Sequence, residues 1–192
     1  MATARERVLE AAVELFAAQG YSATSVSQVI ERAGLTKGGF YHHFASKDQL
    51  LYEIYGDLIG RQLGAMEEIL ARQLSRAETL RLLILDLVES TARSASQALV
   101  FWRELHHLGD ERTAEYRRER RRFHEAVQRL IADGQRAGEF GTAASAETVT
   151  FTIFGVINEL PIWYRPTGRK RPAQIAAELA DFVLTGLEIN RG

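Results

Sequence analysis

The segment Thr24–Lys47 constrains the fold of this chain more than any other, because it holds two helix starts and one helix end within a short length. Ser25 and Gln28 have the spacing of a capping box, in which a hydroxyl and an amide side chain satisfy backbone N–H groups at a helix start. This pair predicts a short helix beginning near Val26. Gly34 can adopt the left-handed conformation that ends such a helix.

A second short helix is predicted directly after this turn. Thr36 can cap it, and it runs to about Phe44, where Ser46 and Gln49 form the signal for a third helix. Two helices joined by a tight turn form the arrangement that lays its second helix in the major groove of DNA. The segment therefore predicts a helix-turn-helix.

Capping signals and apolar periodicity predict helices along the rest of the chain as well. Thr3 and Glu6 indicate a first helix that ends at Gly20, and a long helix runs from Lys47 to about Leu74. Later helices are expected to begin near five further positions, Ser75, Ser96, Asp110, Ser145 and Pro172. No strand-like alternation persists, so we predict an all-α fold.

Composition narrows the class of protein. The 46% of apolar residues excludes general disorder, and no apolar run is long enough to span a bilayer. The sequence therefore predicts a soluble, cytoplasmic protein without membrane contact. Residues 1–50 contain five Lys or Arg and five Asp or Glu, so their balance is zero. DNA binding would depend on a few placed donors and helix N-termini, not on a broad positive field.

Several short stretches match a known family in order and spacing. They are Gly20-Tyr21, Thr24-Ser-Val26, Ala33-Gly-Leu-Thr-Lys-Gly38, Phe40-Tyr-His-His-Phe44 and Ser46-Lys-Asp-Gln-Leu50. Together they resemble the DNA-binding signature of the TetR family of bacterial transcriptional regulators, over residues 5–55. The resemblance implies an N-terminal three-helix DNA-binding domain, residues 1–46, and a larger effector-binding and dimerisation domain, residues 47–192, with about nine helices in all.

The same resemblance implies which side chains contact DNA. The set is Thr24, Thr36, Lys37, Gly38, Tyr41, His42 and Lys47. Lysines can neutralise phosphates, and glycine allows close approach to base edges. Phe40 and Phe44 are expected to point into the small core.

The family implies further that the protein is a homodimer on a palindromic double-stranded DNA operator. The last two helices, near 145–164 and 172–189, would form the dimer contact, and a small-molecule effector would release the repressor from DNA. No cofactor is expected. Trp163-Tyr-Arg-Pro166 and Gly168 resemble a subset of these regulators that responds to coenzyme A thioesters in lipid, steroid or aromatic-acid breakdown.

Aromatic and polar residues on the apolar helices are candidates for an effector pocket. The candidates are Trp102, His106, Phe123, Phe151, Phe154, Asn158 and Trp163. Large aromatic residues at helical spacing also form ordinary cores, so the pattern permits either interpretation. A largely apolar cavity with a few polar anchors is the usual design of a ligand pocket.

The basic run Arg112–Arg122 has two interpretations. Glu115 and Glu119 within it favour a solvated, salt-bridged helix face. Alternatively, some of its arginines, such as Arg117 and Arg121, hold the phosphates of an effector such as coenzyme A.

Metal binding and catalysis are not predicted. Neighbouring histidines on an α-helix point about 100° apart, so His106 and His107 would not share a face. The chain has no cysteine, no nucleophile elbow and no phosphate-binding glycine loop, which argues against an all-α enzyme. A DNA-binding regulator without any small ligand remains the main alternative.

Overall fold

The computed structural model describes residues 2–188, apart from the side chain of Trp102. Within these residues the chain forms nine α-helices and one 3-10 turn, and no strand. The helices are α1 (Ala4–Gln19), α2 (Val26–Ala33), α3 (Lys37–His43), α4 (Lys47–Ala71), α5 (Arg76–Arg93), α6 (Ala95–Glu104), α7 (Asp110–Arg136), α8 (Ala146–Trp163) and α9 (Pro172–Gly186), with the 3-10 turn at Leu105–His107. The predicted all-α fold is confirmed.

Capping boxes start the first two helices, as the sequence predicts. The Thr3 hydroxyl accepts a hydrogen bond from the Glu6 backbone N–H, and the Glu6 carboxylate accepts one from the Thr3 N–H. Ser25 and Gln28 make the same reciprocal pair at the start of α2. Gly34 ends α2 with a φ of 64°, the left-handed conformation that glycine adopts without a steric cost.

The starts of α3 and α4 follow the prediction with one difference. The Thr36 hydroxyl caps α3 by accepting from the Gly39 N–H at 3.1 Å. Ser46 accepts from the Gln49 N–H in the same way, but the Gln49 side chain accepts from the Ala45 N–H. In a regular capping box the Gln49 side chain would accept from the Ser46 N–H, so this bond at α4 uses the backbone N–H one residue earlier.

By its contacts the chain divides into two compact units. The first contains the described residues up to Ile59 and Ser94–Tyr116. Its core is formed by fully buried side chains from four helices, namely Val8, Phe16, Val29, Phe40, Phe44, Leu50 and Ile54. Tyr55 stacks on Phe101 with 4.2 Å between ring centroids, and the Tyr116 ring meets both.

The second unit contains Gly60–Arg93 and the described residues from Arg117 onward. Helix α5 packs against α8 and α9, and Arg81 on α5 forms an ion pair with Asp181 on α9 at 2.6 Å. Its core consists of branched side chains that are almost fully buried, Leu80, Ile84, Ile131, Ile153, Ile157 and Leu160. Pro172 begins α9 at a position where its missing N–H costs nothing.

The contact-based units group α6 and the first part of α7 with the N-terminal helices. The sequence division at residues 46 and 47 is one of function, between DNA binding and effector binding, and it stays a prediction.

Candidate functional site

The exposed surface of α3 carries four of the seven side chains expected at DNA. Lys37, Gly38, Tyr41 and His42 are all exposed, and their spacing of three and four residues places them on adjoining faces of one helix. Phe40 on the opposite side is fully buried. The helix is therefore anchored by its aromatic side and presents a cation, a phenol and an imidazole to solvent.

The start of α3 suits a close approach to a nucleic acid. A Cβ atom at Gly38 would have no neighbour within 4 Å, so this position leaves the helix surface open. Thr36 is exposed, although its hydroxyl oxygen already serves the Gly39 N–H. Lys37 has no carboxylate partner among the described residues, so its ammonium group is available to a phosphate.

Thr24 lies in a different environment from the one the resemblance implies. Its side chain is 1% exposed, and its hydroxyl donates to the Gly20 carbonyl at 2.8 Å and accepts from the Gln19 amide at 3.1 Å. The hydroxyl thus closes the turn between α1 and α2. The backbone N–H of Thr24 also donates within the turn, to the Tyr21 carbonyl at 3.2 Å, so this geometry leaves no free donor at Thr24 for a phosphate.

Lys47 is also held inside the first unit. Its ammonium group donates to the carbonyl oxygens of Tyr21 and Thr24, each at 2.8 Å, and lies 4.1 Å from the centroid of the Tyr21 ring. Two of its three donors are therefore occupied by the turn between α1 and α2. No local sequence pattern predicts this contact, since the two partners of Lys47 are more than 20 residues away in the chain.

Tyr21 belongs to the matched family signature, but the sequence did not indicate its role at this site. Its hydroxyl hydrogen-bonds the Asp48 carboxylate, and its ring meets Phe16 and His107. Burial, followed by the hydrogen bond and negative charge of Asp48, raises the pKa of the Tyr21 phenol far above its usual value. The phenol is therefore neutral and serves as a fixed donor between α1, α4 and the 3-10 turn.

Two arginines of the first unit form ion pairs with glutamates. Arg32 pairs with Glu14 at 2.6 Å and Arg5 with Glu53 at 2.5 Å. These arginines are balanced locally, whereas Lys37 on the exposed surface of α3 has no carboxylate partner among the described residues and can attract a phosphate.

The effector candidates are only partly brought together. Phe123 and Phe154 are buried in the second unit and meet edge to face, with centroids 5.7 Å apart. Asn158 lies one turn beyond Phe154 on α8 and is half-buried. Phe151 and Trp163, in contrast, are 61% and 46% exposed.

The two remaining candidates are His106 and Trp102. His106 is exposed and belongs to the first unit. The side chain of Trp102 lies outside the part of the chain that the structure describes.

His124, which was not among the candidates, sits at the centre of the buried aromatic cluster. Its ring stacks on Phe154 with 3.6 Å between centroids, and its Nε2 atom is buried without a hydrogen-bond partner among the described residues. Burial, with a smaller contribution from the Arg120 charge, lowers the pKa of His124 to about 4. A neutral imidazole with an unused polar atom is a suitable anchor for a polar group on an otherwise apolar ligand.

A basic groove lies at the junction of α8 and α9. It has a volume of about 390 Å³ and is lined by residues that include Trp163, Tyr164, Arg165, Arg169 and Lys170. Arg165 donates to the carbonyls of Ile162 and Tyr164 at the end of α8, and Lys170 pairs with Glu178. Arg169 has no such partner in the described part of the chain.

The surface of α8 and α9 is unusually apolar. Phe182 is 69% exposed and Ile162 57% exposed, and Phe151 adds to the same pair of helices. A groove of about 570 Å³ next to Phe182 is lined by both helices, including Thr148, Thr152 and Val183. Exposed apolar area of this kind marks an interaction surface.

The basic run on α7 is joined to α4 by an ion pair. Arg122 pairs with Glu67 on α4 at 2.8 Å, whereas Arg117 and Arg121 are exposed.

Among the described residues, no helix has both the length and the apolar character required to cross a bilayer.

At the end of α6, His106 and His107 lie in a 3-10 turn and not in an α-helix, so the expectation that they point about 100° apart does not apply to them. The rings of His106 and His107 have centroids 4.1 Å apart, because the chain leaves the α-helical path at Leu105. Glu104 lies beside them, with its carboxylate 3.5 Å from the His107 Nε2 atom.

Comparison with known proteins decides the family. The model of bacterial regulatory proteins of the tetR family matches residues 8–54, and the tetracyclin repressor-like C-terminal domain model matches residues 73–187. The chain belongs to the TetR family. This family consists of transcriptional regulators that bind DNA operators, not of enzymes.

Relatives of this TetR chain extend over nearly its whole length. The transcriptional repressor KstR2 of Rhodococcus jostii is 29% identical over 95% of this chain and 90% of its own. The structure of the regulator PfmR from Thermus thermophilus matches with a TM-score of 0.84 and 28% identity, over 95% and 99% of the two chains.

A third comparison concerns the fold alone. The structure of AibR in complex with isovaleryl coenzyme A and operator DNA has a TM-score of 0.81 and 20% identity, over 97% of this chain and all of AibR. The recognition of the TetR family from its motifs is thus confirmed.

Proposed function

We propose that this TetR chain is a repressor that binds a near-palindromic operator as a homodimer and is released by an acidic, largely apolar effector. The observation that carries the proposal is the exposed surface of α3, which presents Lys37, Tyr41 and His42 beside the open backbone of Gly38. Helices of this kind read base edges in the major groove, while cationic side chains hold the phosphates. A two-fold dimer would set its two α3 helices about 34 to 36 Å apart.

Operator binding can be tested with promoter-derived duplexes and fluorescence anisotropy at several salt concentrations. Lys37→Ala should weaken binding and reduce the salt slope by about one for each subunit, because one phosphate contact is lost. Arg129→Ala removes an exposed positive charge that lies on α7, far along the chain from α3, and is the matched control. It should leave the operator affinity and the salt slope unchanged. If no duplex binds specifically at moderate salt, DNA recognition by this chain is refuted.

The dimer proposal is supported by the exposed apolar surface of α8 and α9. Phe151, Ile162 and Phe182 would be costly in water, at roughly 25 cal/mol for each Å² of apolar surface left exposed. Pairing of the same two helices from each subunit would bury them in a two-fold contact, as the family implies.

The effector proposal rests on two features of the second unit. The buried cluster of Phe123, Phe154 and His124 provides apolar surface with one unused polar atom. The basic groove near Trp163 and Arg169 provides positive charge for phosphates. A coenzyme A thioester has both an apolar acyl chain and a phosphate-rich nucleotide, so it matches both features.

Release would follow if the effector binds one of two conformations more tightly than the other, since a ligand shifts an equilibrium only by its differential affinity. Helix α4 begins at Lys47 in the first unit and continues into the second, which makes it the element through which the effector could act.

A DNA-binding regulator without a ligand is the alternative. A thermal-shift screen with acyl-coenzyme A compounds separates the two, because a ligand that binds only the folded state raises its stability. No shift with any compound, combined with intact operator binding, would favour the alternative.

A further inference from the structure

The corner between α6 and α7 gathers three side chains that can ligate a metal ion. Glu104, His106 and His107 each present one ligand atom, and these atoms lie within 4.8 Å of one another. Glu104 is the last residue of α6, and the two histidines belong to the 3-10 turn that follows it. All three residues belong to the first compact unit.

We propose that Glu104, His106 and His107 form a binding site for one divalent transition-metal ion, with Zn²⁺ as the ion that fits best. Two imidazoles and one carboxylate are a ligand set that zinc uses, with one position left open for water or another donor. Imidazole nitrogens select first-row transition ions, whereas Ca²⁺ and Mg²⁺ prefer sites built of oxygen. This site concerns neither the operator nor the acyl-coenzyme A effector and therefore goes beyond the proposed function.

Zinc coordination requires only small changes in the distances between the ligand atoms of Glu104, His106 and His107. Bond lengths of about 2.0 to 2.2 Å place neighbouring ligand atoms of a tetrahedral zinc site about 3.3 Å apart. The carboxylate of Glu104 and the Nε2 atom of His107 are already 3.5 Å apart. His106 is exposed, so its ring can change rotamer without disturbing buried neighbours.

Neighbouring groups hold two of the three ligands in position. The second carboxylate oxygen of Glu104 accepts a hydrogen bond from the Tyr21 backbone N–H at 3.2 Å. The His107 ring packs on the Tyr21 ring with 4.7 Å between centroids, and its Nε2 atom is 3.3 Å from the Ser22 hydroxyl. The Tyr21 N–H acts on the Glu104 oxygen that does not face His107, which is how outer partners orient ligands and raise metal affinity. The Ser22 hydroxyl contacts Nε2 itself and would release this atom when zinc binds.

A metal at this corner would stiffen the contact between the 3-10 turn and the turn that follows α1. Tyr21 and Ser22 belong to that turn, and Lys47 at the start of α4 donates to the Tyr21 carbonyl. Zinc binding should therefore raise the thermal stability of the protein, because an ion that binds only the folded state stabilises it.

The test is a competition titration of Zn²⁺ between the full-length, untagged protein, stripped with a chelator, and a zinc-responsive indicator. We expect one zinc ion per chain and a higher melting temperature with zinc. His106→Ala and Glu104→Gln should each weaken zinc binding by at least about tenfold while the circular dichroism spectrum stays helical. X-ray absorption of the zinc complex should show imidazole and oxygen ligands with no sulfur.

The matched control is His42→Gln, which alters the other pair of adjacent histidines in the first unit. The rings of His42 and His43 are 4.9 Å apart, and no carboxylate completes a set there among the described residues. This variant should bind zinc like the unmodified protein. The proposal is overturned if the indicator keeps the zinc, if His106→Ala binds as tightly as the unmodified chain, or if binding is lost only in His42→Gln. Because DNA is absent from this experiment, its failure leaves operator binding untouched.

Discussion

The ammonium group of Lys47 donates a hydrogen bond to the Tyr21 carbonyl at 2.8 Å and lies over the Tyr21 ring at 4.1 Å from its centroid. A second bond joins the same group to the Thr24 carbonyl. Lys47 therefore fastens the first residue of α4 to the turn between α1 and α2. The family resemblance implies a phosphate contact for this lysine, but its geometry indicates a mainly structural role.

Replacing Lys47 by methionine should destabilise the protein. Hydrogen bonds to charged groups contribute about 1.5 to 3 kcal/mol, and both carbonyls would lose the ammonium donor, while the Tyr21 carbonyl keeps the Thr24 N–H. We therefore expect the free energy of unfolding to fall by about 2 kcal/mol. Urea denaturation followed by circular dichroism measures this change. Lys47→Arg retains the charge and some donors and should lose less.

The salt dependence of operator binding separates the two roles of Lys47. If the role of Lys47 is structural, the Lys47→Met variant should bind the operator with the same slope of log K against log salt concentration as the unmodified protein. The comparison is made at temperatures where the variant is folded. A slope reduced by about one for each subunit, with unchanged stability, would instead identify a phosphate contact and contradict our interpretation.

A second prediction concerns the apolar surface of α8 and α9. Phe182→Glu places a charge on a side chain that is 69% exposed in the single chain and would be buried in the proposed dimer. Burying an unpaired charge is costly, so sedimentation velocity should show a shift from dimer to monomer. Operator affinity should fall with it, because each monomer contacts only one half-site.

The control for this prediction is Leu74→Glu. Leu74 is an exposed apolar residue outside α8 and α9, at 37% exposure, and its replacement should leave the dimer intact. If Phe182→Glu stays dimeric at the same concentration, the dimer uses another surface.

The parts of the fold that the sequence predicted are those governed by neighbours in the chain. The pairs Thr3 with Glu6 and Ser25 with Gln28 act across three residues, so their side chains need no tertiary partner to specify a helix start. Phe40 and Phe44, which were expected to point into the small core, are buried there.

The contacts that the sequence could not predict join distant segments. Lys47 reaches back 23 residues to Thr24 and 26 to Tyr21, and no local pattern marks such a pair. The inward position of the Thr24 hydroxyl depends on the turn that these contacts close. The histidine pair at 106 and 107 could not be placed either, because its geometry depends on a change from α-helix to 3-10 turn at Leu105.

A third prediction follows from the buried imidazole of His124. Burial lowers its pKa in the folded protein to about 4, below the ordinary value of 6.5 in an unfolded chain. Between these two pH values the unfolded state binds more protons than the folded state, so the free energy of unfolding should fall as the pH is lowered from 6.5 toward 4. Above pH 6.5 this contribution to stability is complete.

Urea denaturation at about pH 7.5, 6 and 5, which starts above the unfolded-state pKa and ends between the two pKa values, measures this dependence. His124→Leu removes the titrating group and should flatten the decline in stability, whereas His42→Gln, at an exposed histidine, should leave the decline as it is. An equally steep decline in His124→Leu would show that other groups cause it.

The final prediction concerns which of two basic segments binds the phosphates of an effector, the groove at the junction of α8 and α9 or the basic run on α7. Arg169 lines the groove at the junction of α8 and α9 and has no carboxylate or carbonyl partner among the described residues, in contrast to Arg165 and Lys170 beside it. Arg169→Ala should therefore weaken binding of coenzyme A by at least about tenfold, since a charge-assisted hydrogen bond contributes about 1.5 to 3 kcal/mol. Isothermal titration with coenzyme A, and with pantetheine as a ligand that lacks the phosphates, measures this loss.

The matched control for Arg169→Ala is Arg117→Ala, which removes one exposed arginine from the basic run on α7. If the groove holds the phosphates, only Arg169→Ala loses affinity for coenzyme A, and neither variant changes the weaker binding of pantetheine. The reverse result, with loss in Arg117→Ala alone, would assign the phosphates to α7. In that case the arginines of α7 have a binding role in addition to the ion pair that Arg122 makes with Glu67.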